Sequence, residues 1–109
     1  MKKFFAVYDL QTEGFKAGMT GTDPKEMVDM MVDYICNIIK EDEECEYEDA
    51  SDIEIIDAFG FTFCEVSEKD AEIIENSEDS GLLTTVKGVN VAKYNKILPI
   101  EEVANAYQL

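Results

Sequence analysis

The side chains that could do chemistry in this chain are of few kinds. Its 109 residues include 25 aspartates and glutamates, nine lysines and three cysteines, and they include no histidine, arginine or tryptophan. Histidine is the commonest general base and transition-metal ligand, and arginine clamps phosphate or carboxylate groups with two hydrogen bonds. Carboxylates could still transfer protons, and Cys36 or Cys64 could act as a nucleophile, but neither cysteine has a recognisable activating base. We therefore expect a protein that is not an enzyme and that binds no cofactor.

The spacing of the cysteines indicates free thiols. Cys36, Cys45 and Cys64 form neither a CxxC pair nor a zinc-binding pattern, and their number is odd. The apolar run near the amino terminus ends at Asp9, which makes it too short for the hydrophobic region of a signal peptide. These features predict reduced cysteines in a cytoplasmic protein.

The acidic residues are concentrated in one part of the sequence. The formal net charge is −16, and residues 41–80 hold 17 carboxylates against one lysine, Lys69, so this segment accounts for the whole of it. The rest of the chain holds eight carboxylates and eight lysines and is neutral. A negative charge of this size repels nucleic acid and anionic membranes at long range, and we expect neither as a direct partner.

The acidic segment has two main interpretations. A run of like charges is usually a solvated surface that keeps a protein soluble, and in that case the apolar face of a helix could join copies of the chain into a homo-oligomer. The interpretation that we adopt is a surface that binds a basic protein, for example as an inhibitor that imitates the phosphates of nucleic acid. The predicted partner-binding residues form the densest acidic run: Glu41, Asp42, Glu43, Glu44, Glu46, Glu48 and Asp49.

A weak cation-binding module is a third interpretation. The stretch NSEDSG, residues 76–81, resembles the start of an EF-hand calcium loop, with Asn76, Glu78 and Ser80 at positions 1, 3 and 5. The resemblance ends there, because position 12 of such a loop requires a glutamate and this chain has Lys87. We therefore predict no metal ligands.

A helix over residues 23–40 is expected to organise the fold. Asp23 followed by Pro24 is typical of a helix start, and Glu26 completes a capping box. Apolar residues then recur at helical spacing from Met27 to Ile38, and further apolar side chains widen that face. This pattern predicts a long apolar central helix that is buried on more than one side.

The remaining segments alternate between short strands and capped helices, with a solvated acidic loop near 41–52. Strands are expected at 4–10, 15–19, 61–66, 82–86 and 89–97, and shorter helices at 51–59, 68–75 and 99–107. The regular spacing of β-α-β units is missing. The sequence therefore predicts an α+β fold in one domain, 1–109, with a mostly antiparallel sheet of about four to five strands and helices on one of its faces.

Overall fold

The computed structural model describes residues 2–41, 51–77, 86, 88–94 and 97–109. Within those residues the fold is α+β, with a three-stranded antiparallel sheet and four α-helices. No helix in the described ranges is long and apolar enough to cross a membrane. In chain order the elements are β1 (Phe4–Asp9), β2 (Gly14–Gly21), α1 (Pro24–Glu41), α2 (Asp52–Ala58), β3 (Phe61–Val66), α3 (Glu68–Glu75), a 3₁₀ turn (Val91–Tyr94) and α4 (Ile100–Tyr107).

Strand β1 lies at the centre of the sheet, between β2 and β3. It pairs with β3 in an unbroken antiparallel register. All four residues from Phe5 to Tyr8 are buried, because both faces of the strand are covered. A short apolar run without alternation is the pattern expected of such a strand.

Strand β2 forms a hairpin with β1 that contains a bulge of several residues. The register pairs Ala6 with Thr20 and Tyr8 with Phe15, so a two-residue step in β1 is opposed by a five-residue step in β2. Gly18 lies in the inserted stretch with φ at +73°, a conformation that glycine adopts without steric cost. The bulge changes which face of the sheet the later side chains of β2 reach.

Two apolar cores lie on opposite faces of the sheet. The α1-side core includes buried residues of three helices and the sheet: Phe5, Val7, Met19, Met27, Met31, Ile35, Ile55, Ile56, Phe61, Phe63, Ile100 and Val103. The α3-side core includes Ala6, Tyr8, Phe15, Ala17, Val66, Ala71, Ile74 and Val86. Because successive side chains of a strand point to opposite faces, β1 contributes to both cores.

The helices cover both faces of the sheet, so the expectation of helices on one face is wrong. Helices α1, α2 and α4 contribute to the α1-side core, and α3 contributes to the α3-side core. The reason lies in β1, whose apolar side chains on both faces need a covering layer on each side. The unbroken apolar run FFAVY in the sequence carried this signal.

Helix α1 begins where the sequence predicts, and Asp23 Oδ1 accepts a hydrogen bond from the Lys25 N–H at 3.0 Å. Met27, Met31 and Ile35 are fully buried. The expected burial on more than one side is not confirmed, because the sheet and α2 cover only part of the helix. The flanking apolar positions are only half-buried: Met30, Val32, Tyr34 and Cys36.

Helices α2 and α3 begin with the predicted serine caps. Ser51 Oγ accepts a hydrogen bond from the Glu54 N–H at 3.3 Å. Ser67 Oγ accepts one from the Asp70 N–H at 3.2 Å. Each cap satisfies a backbone donor that a helix start leaves without a partner, which fixes the first turn.

The predicted number of strands is not confirmed, since the described residues form three. Residues 91–94 lie in the expected strand 89–97 but form a 3₁₀ turn, so that prediction is wrong. The side chain of Asn90 accepts a hydrogen bond from the Ala92 N–H at 3.2 Å, and its carbonyl accepts one from the Lys93 N–H at 3.1 Å. These local bonds start a turn in place of a strand. The strand expected at 82–86 lies outside the described residues except for Val86, as do residues 42–50 of the predicted loop.

Candidate functional site

The predicted partner-binding residues lie at the end of α1 and in the connection from α1 to α2. Glu41 is the last residue of α1. Its side chain lies outside what the structure describes, as do Asp42, Glu43, Glu44, Glu46, Glu48 and Asp49. The structure does describe the two helices that hold the ends of this stretch, and both contribute to the α1-side core. The acidic run therefore joins two helices of one layer.

The three helices of that layer carry an excess of exposed carboxylates. Within residues 24–37, 52–58 and 100–107 there are eight exposed acidic residues and a single lysine, Lys25. We call this surface the acidic helix layer. Its carboxylates are Glu26, Asp29, Asp33, Asp52, Glu54, Asp57, Glu101 and Glu102.

Helix α3 carries part of the acidic segment 41–80 to the opposite face of the sheet. Glu68, Glu72 and Glu75 are exposed on α3, next to Lys69. A charge that is continuous in sequence is therefore divided in space. Sequence reasoning missed the acids of α1 and α4, because they belong to the part of the chain whose total charge is zero.

Asp70 is buried at the start of α3 within a polar cluster. Its carboxylate accepts hydrogen bonds from the Tyr94 hydroxyl and from the Lys93 ammonium, the latter at 3.4 Å. The Tyr94 hydroxyl in turn accepts a hydrogen bond from the Ser67 N–H at 3.2 Å. The hydrogen bond from Tyr94 is the main cause that lowers the pKa of the Asp70 carboxyl; burial opposes it, and Lys93 adds to the lowering. The cluster fastens the 3₁₀ turn to α3.

A cleft of about 310 Å³ lies between β3, the 3₁₀ turn and α4. Glu65 lines it on the strand side, Lys93 and Tyr94 on the side of the turn, and Tyr107 on the side of α4. The Tyr107 ring stacks on the ring of Phe63, with 6.0 Å between the ring centroids. Burial, together with the nearby charge of Glu65, raises the pKa of the Tyr107 hydroxyl. The cleft combines apolar side chains with the charged residues Glu65 and Lys93, and binding sites likewise place polar groups among apolar ones.

Cys64 also lines this cleft, but its thiol is not activated. Burial raises the pKa of the Cys64 thiol to about 12, so the thiol stays protonated at neutral pH and is a weak nucleophile. Cys36 and Cys64 are free cysteines, and Cys45 lies outside the described residues.

The described part of the chain contains no group of three or more side chains that could hold a metal ion. Asn76, the first position of the EF-hand-like stretch, follows the last turn of α3, and its side-chain amide donates a hydrogen bond to the Glu72 carbonyl at 2.9 Å. It therefore caps the helix. Residues 78–81 of that stretch and Lys87 lie outside the described residues.

Comparison with protein-family models, with curated proteins and with solved structures finds no match for this chain. The function is therefore argued from the chemistry and geometry of the surfaces described above.

Proposed function

We propose that the protein acts by binding a basic partner protein. The binding surface is the acidic helix layer together with the acidic run 41–49 that joins two of its helices. The observation that carries this proposal is the excess of eight exposed carboxylates over one lysine within residues 24–37, 52–58 and 100–107. A surface of one sign attracts a basic surface, speeds the encounter and disfavours acidic partners.

We propose that the protein inhibits its partner by imitating nucleic acid. Proteins that bind nucleic acid hold phosphates with lysine and arginine, and the same side chains form charge-assisted hydrogen bonds with carboxylates. Helices packed on a common core present their carboxylates at fixed spacings, whereas a disordered acidic tail would lose entropy on binding. Competition with nucleic acid for a basic groove follows from this chemistry.

The alternative of homo-oligomerisation through the apolar face of α1 has less support. Met27, Met31 and Ile35 are fully buried within the α1-side core, so the most apolar positions of the helix are already covered by the same chain. The solubility interpretation makes a different prediction from ours. If the acidic residues only solvate the protein, removing charges from either face of the sheet should have the same effect on binding to a basic protein.

The test uses two double variants with the same change in charge. Glu54→Gln with Asp57→Asn removes two charges from α2 in the acidic helix layer, and Glu68→Gln with Glu72→Gln removes two charges from α3 on the opposite face. A basic partner is first isolated from cell extract at about 50 mM salt and purified, and its affinity for each variant is then measured with and without competing DNA. We expect the α2 variant to bind about tenfold more weakly, the α3 variant to bind nearly as the unaltered protein does, and DNA to compete.

A third variant neutralises the acidic run itself, with Glu41, Asp42, Glu43, Glu44, Glu46, Glu48 and Asp49 changed to glutamine or asparagine. It should abolish capture while leaving the fold intact, since these like charges repel one another. Equal losses of affinity in the α2 and α3 variants would show that binding depends on the net charge and not on the acidic helix layer. Affinity that stays constant from about 50 to about 500 mM salt would exclude a docking surface based on charge.

A further inference from the structure

Strand β3 is an edge strand of the described sheet, and its outer side borders the cleft. The hydrogen bond from the Leu10 N–H to the Gly60 carbonyl, at 2.9 Å, fixes which residues face outward. In an antiparallel pair, residues alternate between those that bond to the neighbouring strand and those whose N–H and C=O point away from it. Since Gly60 bonds toward β1, the backbone groups of Phe61, Phe63 and Glu65 point away from β1.

Glu65 is the position at which this outer edge is open. Phe61 and Phe63 are buried, whereas Glu65 is exposed and lines the cleft. Leu98 lies beside the strand nearer its start, where the Leu98 carbonyl accepts a hydrogen bond from the Thr62 hydroxyl at 2.7 Å. Among the described residues, none outside the sheet forms a backbone hydrogen bond with Glu65. An open edge position of this kind is a template for an added strand.

The walls of the cleft include apolar side chains that are partly exposed. Leu98 and Tyr107 line it, and they are two of the four large hydrophobic side chains that are exposed in the described part of the chain. Ile97, Val103 and Ala106 complete the apolar lining. Exposed apolar side chains that gather in a concave site mark a place where a partner binds.

The charge at the cleft selects the partner. The Lys93 ammonium is already paired with Asp70, at 3.4 Å, so among the described residues the Glu65 carboxylate is the charge in the cleft that lacks an ion pair. Side chains of opposite charge stabilise facing positions on adjacent strands, which calls for a lysine or arginine opposite Glu65. A second copy of this chain is disfavoured as the occupant, because each copy carries a net charge of −16.

We propose that the cleft binds an extended basic peptide segment as a short strand added beside Glu65. A lysine or arginine of the peptide faces Glu65 and exchanges two backbone hydrogen bonds with it. The peptide residues on either side point to the opposite face, where an apolar side chain meets Tyr94 and Ile97. This contact is made by backbone groups, by the Glu65 carboxylate and by apolar side chains, so it does not require the eight carboxylates of the acidic helix layer.

The test is an NMR titration of ¹⁵N-labelled protein with the acetylated and amidated peptide Lys-Val-Lys-Val-Lys. The matched control is the same peptide with methyl groups on the backbone nitrogens of its three lysines, which keeps the charge but removes the backbone donors. We expect the unmodified peptide to shift the amide signals of Glu65, Val103 and Ala106. We expect the methylated peptide to bind about tenfold more weakly, as the loss of a backbone hydrogen bond implies.

Two pairs of variants separate the cleft from general charge and from misfolding. Glu65→Lys and Ala106→Trp should each lower the affinity for the peptide about tenfold, the first by repulsion and the second by filling the cleft. The controls Glu72→Lys on α3 and Ala58→Trp on α2 should leave it unchanged, and all four proteins should keep the native NMR spectrum. Equal binding of the two peptides, equal losses in variants and controls, or shifts confined to α1 and α2 would each overturn the proposal.

Discussion

Asp70 is a buried carboxylate whose neighbours stabilise its ionised form. Only 6% of its surface is exposed, and a buried carboxylate is costly unless it is paired and hydrogen-bonded. Tyr94 and Lys93 supply those partners from the 3₁₀ turn, and Ser67 connects the same cluster to the start of α3. Removing one partner leaves the charge without part of its compensation, so the loss exceeds the net value of one hydrogen bond.

Tyr94→Phe should therefore lower the free energy of unfolding by about 1–3 kcal/mol, because it removes the hydroxyl that donates to Asp70. Tyr107→Phe is the matched control, since the Tyr107 hydroxyl has no hydrogen-bond partner among the described residues, and it should change stability by less than about 0.5 kcal/mol. Urea melts of both variants measure the difference. Equal effects would show that the Asp70 cluster does not fasten the turn.

The ionisation of Asp70 should make the stability of the protein depend on pH. Its folded-state pKa lies below the ordinary value of 3.8, so its stabilising contribution is present above that value and is lost as the pH falls through the folded-state pKa. Asp70→Asn should therefore be less stable than the unaltered protein at pH 7, with a difference that shrinks below about pH 4. Urea melts at pH 7, 5 and 3 test this. A difference that is independent of pH would contradict it.

The burial of Lys16 is a property that the sequence does not predict. It is 7% exposed, and its ammonium lies 5.2 Å from the centre of the Tyr34 ring and 5.9 Å from that of Phe61, within reach of a cation–π interaction. A lysine in a short strand is ordinarily exposed. The rings that cover Lys16 come from α1 and β3, which are distant in sequence, so no local pattern predicts this environment.

At the scale of elements, α1 should depend on its buried stripe and not on its polar strip. Ile35→Ala removes a fully buried side chain and should cost about 2–5 kcal/mol, whereas the exposed Asp33→Ala should cost less than about 1 kcal/mol. The midpoints and slopes of urea melts give both values. Equal losses would reverse the assignment of the faces of α1.

Elements whose signals are local were predictable, and those set by distant contacts were not. Ser51 and Ser67 predict helix starts, because the hydroxyl of a serine cap bonds to a backbone N–H only a few residues later in the sequence. The 3₁₀ turn was mistaken for a strand because its branched and aromatic residues favour strands, while the hydrogen bonds of Asn90 decided the conformation. The bulge in β2 places Met19 in the α1-side core, although regular alternation would place it with Phe15, and no sequence period signals that change.

The candidate site was predictable only in its chemistry. The sequence identifies an acidic segment, but it cannot show that α2 and α3 carry their carboxylates to opposite faces. Nor can it show that α1 and α4 add five exposed acids to one of these faces. The cleft was not predicted at all, since Glu65, Lys93 and Tyr107 are brought together only by the fold.

At the scale of the whole molecule, a net charge of −16 on 109 residues should make stability depend on salt. Self-repulsion destabilises the compact state, and added salt screens it. The free energy of unfolding should therefore rise between about 20 and about 500 mM NaCl, and the rise should be smaller in the variant neutralised at the seven residues of the acidic run. Urea melts at each salt concentration measure this. An equal rise in both proteins would indicate that the run does not contribute to the repulsion.

The position of β1 between the two cores has a consequence for how the molecule opens. Its side chains are divided between the α1-side core and the α3-side core, so neither layer of helices can leave without exposing part of the same strand. An opening confined to one layer would still leave the β1 backbone bonded to β2 and β3. The amide protons of Ala6 and Tyr8 should thus be among the slowest to exchange with deuterium, and they should report on global unfolding rather than on the loosening of either layer.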